Sequence, residues 1–505
     1  MSQTHFPMKK TTAQSFDASA YPGIKDHFYK QDHVHDMVFF ESADKILLCL
    51  QEIYQQQTQQ WRNTLFSPAD PGPRCYPYLG VYVAKCDHTL IQSHGLFSQP
   101  GFYGATITQP VLYARYLHQQ ISLLLESHQI IVGVGISSQP IPRDFLPHTS
   151  INTETGDHGD VLHMGFHDYA NPLQHIDDSI INGQNSWDPL ATKPLSLFSA
   201  ERTDYSLARL NHYCGTSAEH FQNFVLLTNY NKYVESFFAY ACDPRRHDEG
   251  YTSWAGPSNH WSPLQALTSQ EPSNACQNFQ MPAYHLQRPD RQGITLINIG
   301  VGPSNMKTIT DHLAVLRAHC WVMLGHCGGL HHTQRLGDFV LANGYVREDR
   351  VLDEELPLHI PIPPMPEVQK ALCQAGKEFF PDGAVFRRSM RSGTVLTTAN
   401  RNWELRVKTF SPLIHMSRSI AIDMESATLA TNAFRFSIPY GALLCVSDRP
   451  LHGDLKMAES AQNFYKERIH QHLMMGIHGM EILRNCCPLE VHSRKLRGLY
   501  ATPFR

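Results

Sequence analysis

Several features are scarce in this chain of 505 residues, and each scarcity removes a class of protein. No apolar run approaches the ~18 residues that a membrane-crossing helix needs. Residues 1–25 carry Lys9 and Lys10 with no apolar stretch behind them, which argues against a secretory signal. The twelve cysteines are scattered and never form Cys-x-x-Cys; Cys486 and Cys487 merely adjoin. They read as reduced, mostly buried thiols of a cytoplasmic protein. Neither sign of charge dominates. A net charge of −4 and a pI near 6.8 give no overall pull toward nucleic acid or a membrane surface. The basic cluster at the end of the chain (Arg494, Lys495, Arg497, Arg505) reads as a solvated end rather than a binding arm.

What is present is a folded globular chain, 42% hydrophobic and too long for one ordinary core of roughly 100–200 residues. Residues 1–40 are polar and unpatterned, which predicts a loose leader. Ile46, Leu50, Ile53, Tyr54 and Trp61 follow at helical spacing behind Ser42. Strands are expected at 78–84 and 130–136, with a helix between them carrying Leu112, Tyr116, Leu117, Ile121 and Leu124. Residues 41–285 thus predict an N-terminal α+β domain. Its stretch from Asp243 to Gln280, rich in Pro, Ser, Asn and Gly, reads as a surface excursion. After Gly293 short apolar runs alternate with helical stretches, so residues 286–505 predict an α/β domain with a mostly parallel central sheet.

The chemistry concentrates at strand ends. Ile420-Ala421-Ile422 leads into Asp423-Met424-Glu425-Ser426, and Ala442 to Val446 leads into Ser447-Asp448, with a helical stretch from Ala427 to Phe436 between them. Read as one βαβ unit, the pair places Glu425 and Asp448 in one crevice beyond the carboxyl ends of the strands. Such acids also cap helices or pair with arginine, and Arg449 adjoins Asp448. Gly300-Val301-Gly302-Pro303-Ser304 opens a helix after a strand: a tight turn, or a site for a phosphate or ribose through Gly302 and Ser304. The third glycine of a dinucleotide fingerprint is missing, which argues against NAD. Gly325-His326-Cys327-Gly328-Gly329 ends the next strand in the same way. Neither this string with His331-His332 nor the stretch from His148 through His158, His163 and His167 to His175, with Asp157, Asp160 and Asp168, has metal-site spacing beyond one i, i+4 pair each. No metal is expected.

These motifs resemble the purine nucleoside phosphorylase and nucleosidase superfamily, in which Met-Glu holds the ribose and Ser-Asp meets the purine. Asn298 to Asn305, Gly325 to Leu330, and Arg401-Asn402-Trp403-Glu404-Leu405-Arg406 resemble the AMP nucleosidases within it. So do Gly101 to Pro110 and Asp204 to Leu210, so the likeness runs from about residue 45 to Arg505. It implies hydrolysis of AMP to adenine and ribose 5-phosphate. Asp448 would protonate the purine N7, which requires a raised pKa; Glu425 would hold the ribose hydroxyls, with Met424 against the sugar and Ser447 orienting the acid. Gly302, Ser304, Gly325 and His326 would line the site, with Asn402 and Trp403 near the purine.

Met323 stands where the hexameric phosphorylases carry a phosphate-gripping arginine, which argues for water as the nucleophile. The first glycine loop carries no acid to activate that water, so that role stays empty. Lys307, Arg335, Arg401, Arg202 and Arg209 are candidates for the 5′-phosphate. The resemblance further implies a homo-oligomer, a hexamer, whose N-terminal domain is regulatory, with MgATP as an allosteric activator, phosphate as an inhibitor and no cofactor for the chemistry. The competing readings are a purine nucleoside phosphorylase and a non-catalytic AMP sensor.

Overall fold

The computed structural model describes residues 22–64, 74–86, 94–142, 145, 176–183, 188, 190–267, 279–454, 462–486, 496, 498 and 501–505. The histidine-rich stretch from His148 to His175 lies outside them. The chain divides into two compact units.

The smaller unit comprises residues 1–87, 99–141 and 186–195. Its strands are β1 (His35–Phe40), β2 (Cys75–Val83), β3 (Gly101–Thr106), β4 (Ile130–Pro140) and β5 (Lys193–Pro194), in the order β1-β4-β2-β3-β5. Helices Ala43–Thr64 and Ala114–Ser127 appear where the apolar spacing predicted them. The leader is not loose throughout. Helix Pro22–Gln31 and β1 precede residue 41, and β1 pairs antiparallel with β4. Their anchors are few: Ile24, Phe28, Val34 and Met37 bury against Tyr78 and Ile131. Four apolar side chains set among charged neighbours were enough to fix the segment, and too sparse to register as a pattern.

The larger unit takes up residues 88–98, 142–185 and 196–505. It holds β6 (Phe224–Thr228), β7 (Ser253–Gly256), β8 (His260–Pro263), β9 (Ala283–Gln287), β10 (Ile294–Asn298), β11 (Cys320–Gly329), β12 (Phe339–Glu348), β13 (Met390–Thr398), β14 (Ser419–Asp423) and β15 (Tyr440–Asp448). They form one sheet in the order β14-β13-β12-β15-β11-β6-β10-β9-β7-β8, with a further pairing between β14 and β11. The boundary expected at 285/286 falls inside β9. The expected surface excursion contains β7 and β8, which pair with each other while β7 continues onto β9. Trp254 and Tyr284, both buried, supply the packing that outweighs the turn-rich composition there.

The α/β reading holds, but the sheet is mixed. Parallel pairing joins β15, β11, β6 and β10, and again β12, β13 and β14. Antiparallel contacts join β12 to β15 and β14 to β11. The first five strands of that order therefore close on themselves: β11-β15-β12-β13-β14 and back to β11. This corrects the single βαβ unit expected around helix Ser426–Arg435, because β14 and β15 are not neighbours. They meet instead across β11, where Gly328 stands opposite both Ile422 of β14 and Asp448 of β15. Closure thus delivers the proximity that a βαβ unit was expected to supply. Among the described residues no helix is long and apolar enough to cross a membrane.

Candidate active site

Glu425 sits between β14 and helix Ser426–Arg435, with 1% of its surface exposed. One carboxylate oxygen accepts the Gly302 backbone N–H at 2.7 Å; the other accepts the Asn229 Nδ2–H at 3.0 Å. Each donor is at a strand end. Asn229 follows β6, and Gly302 closes the loop after β10 with φ 115° and ψ 154°, a conformation open to glycine. That loop is braced by Asn305, whose side-chain amide donates to the Ile299 carbonyl at 3.0 Å. Burial, then the neighbouring Asp423 carboxylate, raises the Glu425 carboxyl to about 8 against the pull of its two donors.

Asp423 has a structural job. It accepts the Thr397 hydroxyl at 2.6 Å and the Ser426 N–H at 2.8 Å, capping the helix that follows. Thr397 in turn accepts the Ala427 N–H at 2.9 Å, so two side chains serve the first turn of one helix. Asp448 ends β15, half-buried, with the Ser447 hydroxyl donating to it at 2.5 Å. Arg449 gives its guanidinium to Asp454 and to the Gln334 carbonyl. Burial pushes the Cys327 thiol well up, and the Cys445 thiol and the Asp423 and Asp448 carboxylates add to the shift.

Gly325 belongs to the same cluster. A Cβ there would stand 2.6 Å from the Met323 methyl and 3.6 Å from Asn229 Oδ1. Met323 is fully buried, a packed apolar side chain beneath Gly325. His326, half-buried, lies 3.5 Å from the Tyr233 hydroxyl with the Tyr230 ring edge-on to it. Met424 is half-buried and Ser304 exposed in the first turn of helix Pro303–Leu313.

Other candidates are placed differently. Trp403, 6% exposed, packs with Phe410, Leu396 and Ile422 in a small core, while Arg401 and Asn402 beside it are exposed. Lys307 is held by Asp311 at 2.9 Å and Glu355 at 3.1 Å. Arg202 pairs with Asp178 at 2.9 Å and donates to the Asp311 carbonyl at 3.1 Å. Arg209 lies over the Tyr213 ring, and Arg335 is exposed. Sequence reasoning missed Asn229 and Tyr233. The signal was there: Phe224-Val225-Leu226-Leu227-Thr228 is a buried apolar run ending in an amide, like Ile294 to Asn298. Among the described residues no group of three or more His, Cys, Asp or Glu side chains is gathered as metal ligands would be.

A buried acid on two N–H donors and a second acid at the end of the next strand but one are groups able to accept hydroxyl hydrogen bonds and to exchange a proton. The family described as Phosphorylase superfamily matches residues 266–473, and that described as Bacterial AMP nucleoside phosphorylase N-terminus matches residues 45–192. The crystal structure of AMP nucleosidase from Bacteroides thetaiotaomicron is 29% identical, covering 56% of this chain and 98% of that one with a TM-score of 0.41. A purine nucleoside phosphorylase from Toxoplasma gondii is 20% identical with a TM-score of 0.40, covering 54% and 97%. AMP nucleosidases from two Escherichia coli strains are each 44% identical over 421 residues, 82% of this chain and 85% of theirs. At that identity and coverage, the chain belongs to the AMP nucleosidase family.

Proposed function

We propose that this protein hydrolyses the N-glycosidic bond of AMP, giving adenine and ribose 5-phosphate. The observation that carries the reading is the Glu425 carboxyl fixed by Asn229 and Gly302, with Asp448 ending β15 opposite the same Gly328 of β11 that faces Ile422 of β14. Each Glu425 oxygen has one N–H donor and a second lone-pair site, so the ribose hydroxyls can be held without displacing either donor. Asp448 meets the purine: the C1′–N9 bond breaks with its electron pair moving onto the base, which takes a proton at N7. Water forms the new C1′–O bond, yields its proton to solvent, and Asp448 is reprotonated from solvent. Buried Met323 supports water over phosphate, since inorganic phosphate would need a cation where an apolar side chain stands.

The 5′-phosphate is assigned to a cation from the set named above. Arg335 and Arg401, both exposed, suit it better than Lys307 and Arg202, which are already paired. A cytoplasmic homohexamer activated by MgATP through its N-terminal domain completes the proposal, supported by the family likeness. The test is adenine release from AMP in phosphate-free buffer. The parent should release adenine, and Asp448→Asn should lose roughly 10²–10⁴-fold. Release only after phosphate is added would make it a phosphorylase; bound but uncleaved AMP would make it a sensor.

A further inference from the structure

Glu425 and Gly302 each stand immediately before a helix. Glu425 precedes helix Ser426–Arg435 and Gly302 precedes helix Pro303–Leu313, so the 2.7 Å hydrogen bond between them joins two helix starts. Its length and direction depend on how those helices lie against each other. About two turns further along, the first helix bridges to the second: Asn432 Nδ2 donates to Thr310 Oγ1 at 2.9 Å and to Asp311 Oδ1 at 2.8 Å. Asparagine in a helix interior costs helix propensity, and this one is fully buried, as is Thr310. The bridge is the compensation.

The amide is oriented from both sides. The Arg435 guanidinium, which can only donate, gives a hydrogen bond to Asn432 Oδ1 at 2.7 Å, so the amide nitrogen faces the second helix. Thr310 spends its own proton on the Met306 carbonyl at 2.5 Å and can only accept from Asn432. Asp311 holds Lys307 at 2.9 Å with its other oxygen. Arg435 donates also to Asn182 Oδ1 at 2.9 Å and lies 3.7 Å from Asp178, which pairs in turn with Arg202. All three hydrogen-bonding positions of the Asn432 amide used here are met inside the protein, where water is not at hand to replace a lost partner.

We propose that Asn432 is a positioning residue for the reaction: by tying helix Ser426–Arg435 to Thr310 and Asp311, it keeps the Gly302 N–H aimed at the Glu425 carboxylate. The inference rests on the hydrolytic reading. Thr310 lies roughly 12 Å along the helix from Gly302, at 1.5 Å per residue, so the bridge and the Gly302–Glu425 bond share no atoms and communicate only through the seating of the two helices. Changes that far apart normally add. An asparagine that merely stabilised the fold would lower the melting temperature and change activity by the same factor in any background.

A double-mutant cycle separates the two roles. Adenine release from AMP and melting temperature are measured for the parent, Asn432→Asp, Gly302→Ala and the pair. Aspartate keeps the shape of the side chain, removes both N–H donors and sets a second carboxylate against Asp311. N432D should lower kcat/KM about tenfold in the parent background, and by less than about twofold where Gly302→Ala has already removed the bond it acts through. Thr310→Val, which removes only the acceptor, repeats the cycle should N432D not fold; a loss of about threefold is expected in the parent and less than about 1.5-fold in G302A. Equal losses in the two backgrounds, or no loss in the parent background, overturn the proposal. A parent that releases adenine while the cycle is additive sinks this inference alone; a parent that releases none sinks the hydrolytic reading, and this inference with it.

Discussion

Gly302→Ala isolates one hydrogen bond. Gly302 adopts φ 115° and ψ 154°, a region that alanine enters at a cost of about 1–3 kcal/mol. A methyl group there would meet nothing within 4 Å, so the penalty is wholly in the backbone. The loop relieves it by turning the peptide, and the N–H that turns away is the one held by Glu425 at 2.7 Å. A hydrogen bond of this kind contributes ~1–3 kcal/mol to whatever state depends on it, or roughly 5- to 150-fold in kcat/KM. Gly300→Ala is the matched control. Its φ of 70° is left-handed but tolerable at ~1–2 kcal/mol, and its N–H is directed to Asn298 rather than to the acid. Steady-state adenine release and thermal melts on both variants provide the comparison. Equal melting losses with activity lost selectively in G302A are expected. A G302A enzyme as active as G300A would show that the N–H does not hold Glu425 for catalysis.

Two further outcomes follow from burial. The folded chain keeps a proton on Glu425 up to about pH 8, whereas an unfolded glutamate gives it up near 4.5. The contribution of this group to stability is therefore full below about pH 4.5 and is lost as pH rises toward 8, by at most ~5 kcal/mol. Urea midpoints measured from pH 5 to 8.5 should fall less steeply for Glu425→Gln than for the parent; parallel curves would refute the assignment. Trp403→Ala should destabilise the protein by about 3–5 kcal/mol through its small core. It should leave KM for AMP within about twofold, and a large rise in KM would return Trp403 to the purine site.

How much of this was legible depends on which force set each feature. Strand ends flanked by glycine and acid carry their chemistry in local sequence, so Glu425, Gly302, Ser447 and Asp448 were readable as a group. Strands β10 to β15 were readable too, because each holds a short apolar run. Partner choice was not. Nothing local to Asp423 says that β14 turns onto the end of β11, a contact spanning about a hundred residues of chain and set by the closing of the sheet. The surroundings of Trp403 and Lys307 were illegible for a related reason. An aromatic or a cation near a motif looks like a ligand contact until the side chains around it are known: here Phe410 for one, Asp311 and Glu355 for the other. Asn229 was missed although the apolar run Phe224 to Thr228 leads into it, because that run was not set beside the one from Ile294 to Asn298.

Because β14 returns to β11, the five-strand ring has no free edge, and the only open margin described in the larger sheet is β8. The ring also sets an order of assembly. Its closing contact joins residues 328–329 to 421–422, and the Glu425 hydrogen bonds bridge 123 and 196 residues of chain. Contacts that distant must wait for the intervening loops to be closed, so they form late. The acid at the heart of the site is thus positioned only when the slowest part of the fold is complete, and a partly folded chain that has gained its helices has not yet gained the geometry to cleave anything.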